Sequence, residues 1–201
     1  MDRRKIVAAA AFAFLAGCSG QWNVDYDDGV EAGVSKSWHL HRVQVIIPDE
    51  LTVSDANTYA PNADIVWHGD LSGDRREQVA SILRDGLTKG ASSLNGPRGI
   101  AISARLEHFH AVTPAAVARA PAAVHNIAYT IQVFDDVTGA AITQPERIEA
   151  DLEAYVGSAA IAAAIQGQSQ RVRIVDHIAN VTRGWLGAGP DQRRTFQSIG
   201  R

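Results

Sequence analysis

The sequence predicts a single α+β domain: a mainly antiparallel sheet with two helices packed on one face. Several runs of strand length alternate apolar and polar residues, while two stretches repeat their apolar residues every three or four positions. A hairpin-type turn, Asp135-Asp136-Val137-Thr138-Gly139, separates two of the strand runs. Of 201 residues, 46% are hydrophobic and 20% charged, which suits one packed core.

The core is expected to begin at Trp38. Val43, Val45 and Ile47 alternate along a half-buried strand that stops at Pro48-Asp49. Turn formers at Ser54, Asp55, Asn57, Pro61 and Asn62 make 51–62 an exposed loop, and 63–68 reads as a second short strand. Asp74-Arg75-Arg76-Glu77 is a capping-box pattern. It opens a helix with Val79, Ile82, Leu83 and Leu87 on one face, Arg75, Gln78, Arg84 and Asp85 turned to water, and an end at Lys89-Gly90.

Gly96-Pro97 punctuates the chain, and Ile100, Ile102, Ala104 and Leu106 then alternate along a strand reaching His110. An alanine- and proline-rich connection, 111–121, leads to a strand over 124–134 and the Asp-rich turn. Beyond Pro145, Ile148, Ala150, Leu152, Ala154 and Val156 alternate strictly, which leaves one face wet. The spacing of Ile161, Ile165, Val172, Val175, Ile178, Ala179 and Trp185 predicts a long helix over 159–186. Gly167 bends or breaks it, and Gly187 and Pro190 close it.

Ahead of the domain, Arg3, Arg4 and Lys5 precede an apolar run from Ile6 to Leu15, and small residues follow up to Cys18, the chain's one cysteine. This order is that of a secretory signal peptide, too short in its apolar part to span a bilayer. Four parts are therefore expected: a signal peptide (1–17), a tether that begins at Cys18 (18–37), an exported α+β domain (38–187) and a mobile tail (188–201). The polar, acidic tether carries Trp22, Val24, Tyr26, Val30 and Val34, which could also dock on the domain as a short edge strand.

Leu15-Ala16-Gly17-Cys18 resembles the lipobox of bacterial lipoproteins. The resemblance implies a diacylglycerol on the Cys18 thiol, cleavage before it and acylation of the new amino terminus. Ser19 after the cysteine implies sorting to the outer membrane, on its periplasmic face. The domain pattern, with Val79–Leu87, Tyr129–Gly139 and Ile161–Leu186 in the corresponding places, resembles the auxiliary lipoproteins of ABC-type transport systems. It also resembles uncharacterised alphaproteobacterial lipoproteins. These likenesses imply an envelope component of a lipid-trafficking or assembly complex.

Removing residues 1–17, which carry three basic residues and one acidic, takes the net charge from −3 to −5. That balance excludes a basic nucleic-acid face. With Cys18 consumed by lipid, the domain has no disulfide.

His39 with His41, and His108 with His110, are spaced two apart, so each pair could present two imidazoles on one strand face to a metal. His68, Asp70 or Glu107 could add a ligand; half-exposed surface histidines are the competing reading. Asp135-Asp136 fits turn chemistry better than a paired-carboxylate site. No Ser sits in a Gly-x-Ser-x-Gly elbow, and Gly86, Gly90, Gly96 and Gly99 lack phosphate-loop spacing. Trp67 reads as a packing residue rather than a ligand platform.

The expectation is no enzyme, no catalytic residue and no cofactor. The protein would be a noncatalytic, lipid-anchored module that meets the membrane through its lipid and docks an envelope protein, in an oligomeric state the sequence leaves open. The alternative is a periplasmic lipoprotein that binds a small ligand or a metal.

Overall fold

The computed structural model describes residues 29–193. The expected leader, Cys18 and the first part of the tether lie outside the described residues, as does the chain from 194 onward. Helix α1 (Ala32–Ser35) precedes strands β1 (Trp38–Ile46), β2 (Val53–Ser54) and β3 (Ile65–Val66). Helix α2 (Arg75–Ala91), strand β4 (Arg98–His110), helix α3 (Pro114–Arg119) and strand β5 (Ala123–Asp135) follow. Strands β6 (Glu146–Glu149) and β7 (Leu152–Ala154) then lead to helices α4 (Gly157–Ile165) and α5 (Gln170–Trp185).

The seven strands form one sheet around β4 and β5, which pair antiparallel from Ile100↔Asp135 to His110↔Asn126. β6 and β7 run antiparallel along the other side of β5. Beside β4, β1 covers the first part and β3 the end, both parallel to it, and β2 lies outside β3. Antiparallel ladders make up the larger share, as expected for this α+β domain. The parallel edge has a simple cause: α2 carries the chain back along the sheet between β1 and β4, so the strands it joins point the same way.

α2 and α5 lie side by side on one face of the sheet. Their inner residues Ile82, Leu83, Leu87, Ile174 and Ile178 meet Ile100, Ile102, Leu106, Tyr129 and Ile131 in one buried cluster, closed by Trp38 and Trp185. The alternation along β4 and β5 supplies the sheet half of this core and the three-to-four repeat supplies the helical half. Gly86 and Gly90 let the two helices approach closely. A Cβ at Gly86 would stand 2.6 Å from Ile178 Cγ2, and one at Gly90 2.6 Å from the Ala179 carbonyl. Asp74 caps α2 as its sequence implies, its carboxylate accepting from the Arg76 and Glu77 amides.

Several expectations are corrected. Arg75 is not turned to water: its side chain is 10% exposed and binds Asp55 and Gln78. The loop at 51–62 contains β2, and the connection at 111–121 contains α3, capped by Thr113. The alternating run at 148–156 splits at Ala150-Asp151, where the Asp151 carboxylate accepts from Asn126 Nδ2 and the Ile127 amide in place of a strand neighbour. The break expected at Gly167 does occur: its φ of +75° fits no helix, and it divides the long stretch into α4 and α5.

The domain also extends past both expected bounds. The Val30 amide donates to the Trp185 carbonyl at 2.7 Å, so residues 29–37, placed in the tether from sequence, fold onto the end of α5. From the expected tail, Arg193 is buried and binds Glu146 and Asp191, while Glu146 also accepts from Trp185 Nε1 at 2.5 Å.

Candidate functional site

The four histidines singled out as metal candidates do not converge. His39 pairs with Gly99 near the start of β4, while His108 lies nine residues further along the same strand. At about 3.3 Å per residue this separates the pairs by roughly 30 Å. Within the first pair, a bulge between Leu40 and Arg42 breaks the two-residue repeat that would align the rings. His39 Nδ1 donates to the Gly96 carbonyl at 2.8 Å, which places its proton on that nitrogen. His41 Nδ1 lies 2.5 Å from Asp136 Oδ2, and Arg42 holds the other oxygen of the same carboxylate.

The second pair stays on one side of β4 beyond a bulge at Glu107. His108 Nε2 is buried, and His110 has its pKa lowered first by burial and then by the neighbouring His108. Beside them, β3 brings Val66 into register with His110, and His68 follows two residues later. Asp64 is the nearby carboxylate. Its pKa is lowered chiefly by its hydrogen bonds to Thr52, with a smaller contribution from His108. Among the described residues, no group of three or more His, Cys, Asp or Glu is placed to hold a metal ion.

The paired aspartates serve the turn. Asp135 Oδ1 accepts from the Val137 and Thr138 amides and the Thr138 hydroxyl, and the two Thr138 bonds, followed by Arg98, lower its pKa to about 2. Trp67 is a buried core residue: its ring meets Phe109 edge-on at 5.9 Å and its Nε1 donates to Asp70. Asp70 also binds Arg171, which reaches on to Ser81 and Asp85 and so ties the β3–α2 connection to the start of α5.

Sequence reasoning missed a second polar cluster, under α3 and α5. His125 is fully buried on β5, and its Nδ1 accepts from the Val112 amide at 3.4 Å. Burial lowers its pKa to about 3, with Arg173 and His177 acting in the same direction. Burial also lowers the pKa of His177, against the opposing pull of Asp151. The signal was present, because His125 shares the inward parity of Ile127, Tyr129 and Ile131. Held neutral and enclosed, His125 is a structural acceptor.

Two open depressions of about 240 and 230 Å³ flank residues 29–36 and Trp185–Ala188, below the size of ordinary small-molecule sites. Two convex features stand out instead. β1 is a nine-residue strand that pairs with β4 on one side; Asn95 and Gly96 bond the start of its other edge at His39 and Trp38, and among the described residues no strand pairs with the remainder of that edge. Along it, Arg42, Gln44 and Ile46 are exposed. The second feature is α4, composed of alanine, isoleucine, glycine and serine, with Ile161 65% and Ile165 81% exposed.

The family of unknown function DUF6778 matches residues 38–201. No curated protein matches the chain. Among solved structures, a protein of Caulobacter crescentus CB15 provisionally assigned as a lipoprotein is similar at 13% identity and a TM-score of 0.34, over 79% of this chain and 97% of the other. A minor lipoprotein of Acinetobacter baumannii is similar at 15% identity and a TM-score of 0.31, over 77% and 94%. PelC of Paraburkholderia phytofirmans, solved as a dodecamer, is similar at 10% identity and a TM-score of 0.27, over 77% and 93%.

Proposed function

The chain belongs to the DUF6778 family, and we propose that this member is a noncatalytic, lipid-anchored envelope protein that docks a protein partner. Leu15-Ala16-Gly17-Cys18 supplies the anchor. Two or more acyl chains hold a protein durably at about 0.8 kcal/mol per buried methylene. The outer membrane, on its periplasmic face, is the proposed location, with Ser19 as the sorting residue. A role as an auxiliary part of a lipid-trafficking or envelope-assembly complex follows from the same reading.

The observation that supports docking most is the unpaired edge of β1. Beyond the segment covered by Asn95 and Gly96, the edge from Arg42 to Ile46 presents a row of backbone donors and acceptors that an extended segment of another protein satisfies by adding a strand. Proteins that do not use such an edge usually blunt it with proline, inward charge or a covering loop. β1 has no proline, and its bulge at His41 lies toward one end, leaving Val43–Ile46 regular. The side chains that would read a partner strand are Arg42, Gln44 and Ile46. The metal-binding alternative has less support: the two histidine pairs lie apart along β4, and among the described residues no three His, Cys, Asp or Glu are grouped to hold an ion.

The test places a photocrosslinking residue at Gln44 on the edge and, as a control, at the exposed Asp85 on the helical face. The expected result is one adduct of defined mass from Gln44 only, dependent on Cys18 and re-formed with the purified partner. Equal labelling from both positions, or no adduct in membranes that contain the lipidated protein, would refute the edge as a docking site.

A further inference from the structure

We infer that α4 is a membrane-contact element, laying Ile161 and Ile165 into the headgroup–acyl boundary of a phospholipid leaflet. The inference rests on the anchored reading in one respect: the anchor keeps the domain beside a leaflet. From Ala154 to Gln170 the chain carries no charged side chain. Within that stretch α4 is built the wrong way round for a surface helix. Ala163 is buried and Ala160 half-buried, while Ser158, Ile161, Ala162 and Ile165 form the outward stripe at helical spacing. The large apolar groups are thus spent on the side away from the core. Gly157 (φ +56°) and Gly167 (φ +75°) bracket the helix and set it off from β7 and α5 as an arm of its own.

The surroundings indicate what covers this stripe. A symmetric pairing with a second copy would join two nine-residue helices, each about 13.5 Å long, a contact far smaller than the roughly 1,200 Å² of a stable specific interface. A protein groove reads such a helix through large apolar anchors repeated over several turns, and α4 offers Ile161 and Ile165 alone. A lipid leaflet needs no such register.

The rim of the stripe suits the headgroup level. Tyr155 is 42% exposed with the Arg173 guanidinium 3.5 Å from its ring centre, and Arg119 is exposed at the end of α3, which packs against α4. Aromatic rings and snorkelling cations favour that depth. Glu153, exposed on β7, is the nearest carboxylate in sequence and sits outside the uncharged stretch.

Reach is sufficient. α5 spans about 24 Å between the α4 end and the point where Val30 joins Trp185. The eleven steps from Cys18 to Gly29 could extend to about 38 Å.

The test uses the lipidated full-length protein with Ile161→Cys, in which the lipid occupies Cys18 and leaves one free thiol. The thiol is labelled with an environment-sensitive fluorophore, and the protein is reconstituted into vesicles of phosphatidylethanolamine and phosphatidylglycerol. Val137→Cys, at a position 90% exposed in the turn at the far end of β5, is the control. The expected result is blue-shifted emission at 161, with quenching by nitroxide-labelled lipid about fivefold stronger than at 137, diminished by adding Ile165→Asp.

Emission at 161 as water-like as at 137, with native circular dichroism, would overturn the inference. A shift that needs only a higher protein concentration and no lipid would also overturn it, in favour of a second copy. Failure of the anchored reading shows separately: the chain would take two labels by mass and would not reconstitute. In that case the same labelled chain mixed with vesicles still decides the question for α4.

Discussion

Replacing Gly86 by alanine should destabilise the domain although it improves the helix. In an exposed helix interior, Gly→Ala gains roughly 1 kcal/mol. At Gly86 the new methyl would stand 2.6 Å from Ile178 Cγ2, 2.7 Å from its Cβ and 3.2 Å from the Val175 carbonyl. Ile178 is fully buried and β-branched, so its rotamer cannot swing aside, and α5 itself has to move. Overpacking of that kind costs about 1–3 kcal/mol, commonly more than the propensity gain. The expected net loss is up to about 2 kcal/mol, or a fall in Tm of up to about 6 °C for a domain of this size. Gly33→Ala is the matched control: its Cβ would meet only Glu31 Oε1 at an ordinary 3.6 Å, so stability should hold or rise. Thermal melts of both variants by circular dichroism give the answer. A rise in Tm for Gly86→Ala equal to that for Gly33→Ala would refute the close approach of α2 and α5.

Acidification should weaken the fold through His125. Its folded pKa is depressed to about 3 against 6.5 when free, so the unfolded chain binds the proton first. Stability is then full above about pH 6.5 and falls by about 1.4 kcal/mol per unit as pH drops toward 3; urea titrations across that range should show the slope, and His125→Asn should flatten it. Removing the α2 cap with Asp74→Ala should cost about 1 kcal/mol, measurable in the same titrations. Arg193→Ala should cost about 3 kcal/mol, because it strips a fully buried cation from Glu146. A truncated chain ending at 187 should show a loss at least as large.

The core was legible wherever one periodicity held without interruption. Ile100, Ile102, Ala104 and Leu106 alternate, Val79, Ile82, Leu83 and Leu87 repeat at helical steps, and all are buried as read. Readings failed where long-range partners decide. The parallel edge was hidden because the sequence shows strand, helix, strand without showing which strands α2 joins side by side. Ile161 and Ile165 kept the spacing of α5's apolar face, but Gly167 resets the helical phase between them and the core, so they emerge on the outside. Gly86 and Gly90 were tested against phosphate-loop spacing, and their actual use, four residues apart on one helix face, needs a second helix to become visible. The histidine pairs satisfied a local spacing rule, and only the register of β1 on β4 shows that they lie at opposite ends. The folding of residues 29–37 and 188–193 onto the domain depends on Trp185 and Glu146, far away in sequence.

The most direct test of the central claim is the mass and location of the mature amino terminus. Protein extracted from membranes should begin at Cys18 and carry a thioether-linked diacylglycerol and an N-acyl group, and Cys18→Ala should leave the membrane fraction. A wild-type chain recovered from the soluble fraction, or beginning at any other residue without lipid, would contradict the anchored reading on which the docking function is built.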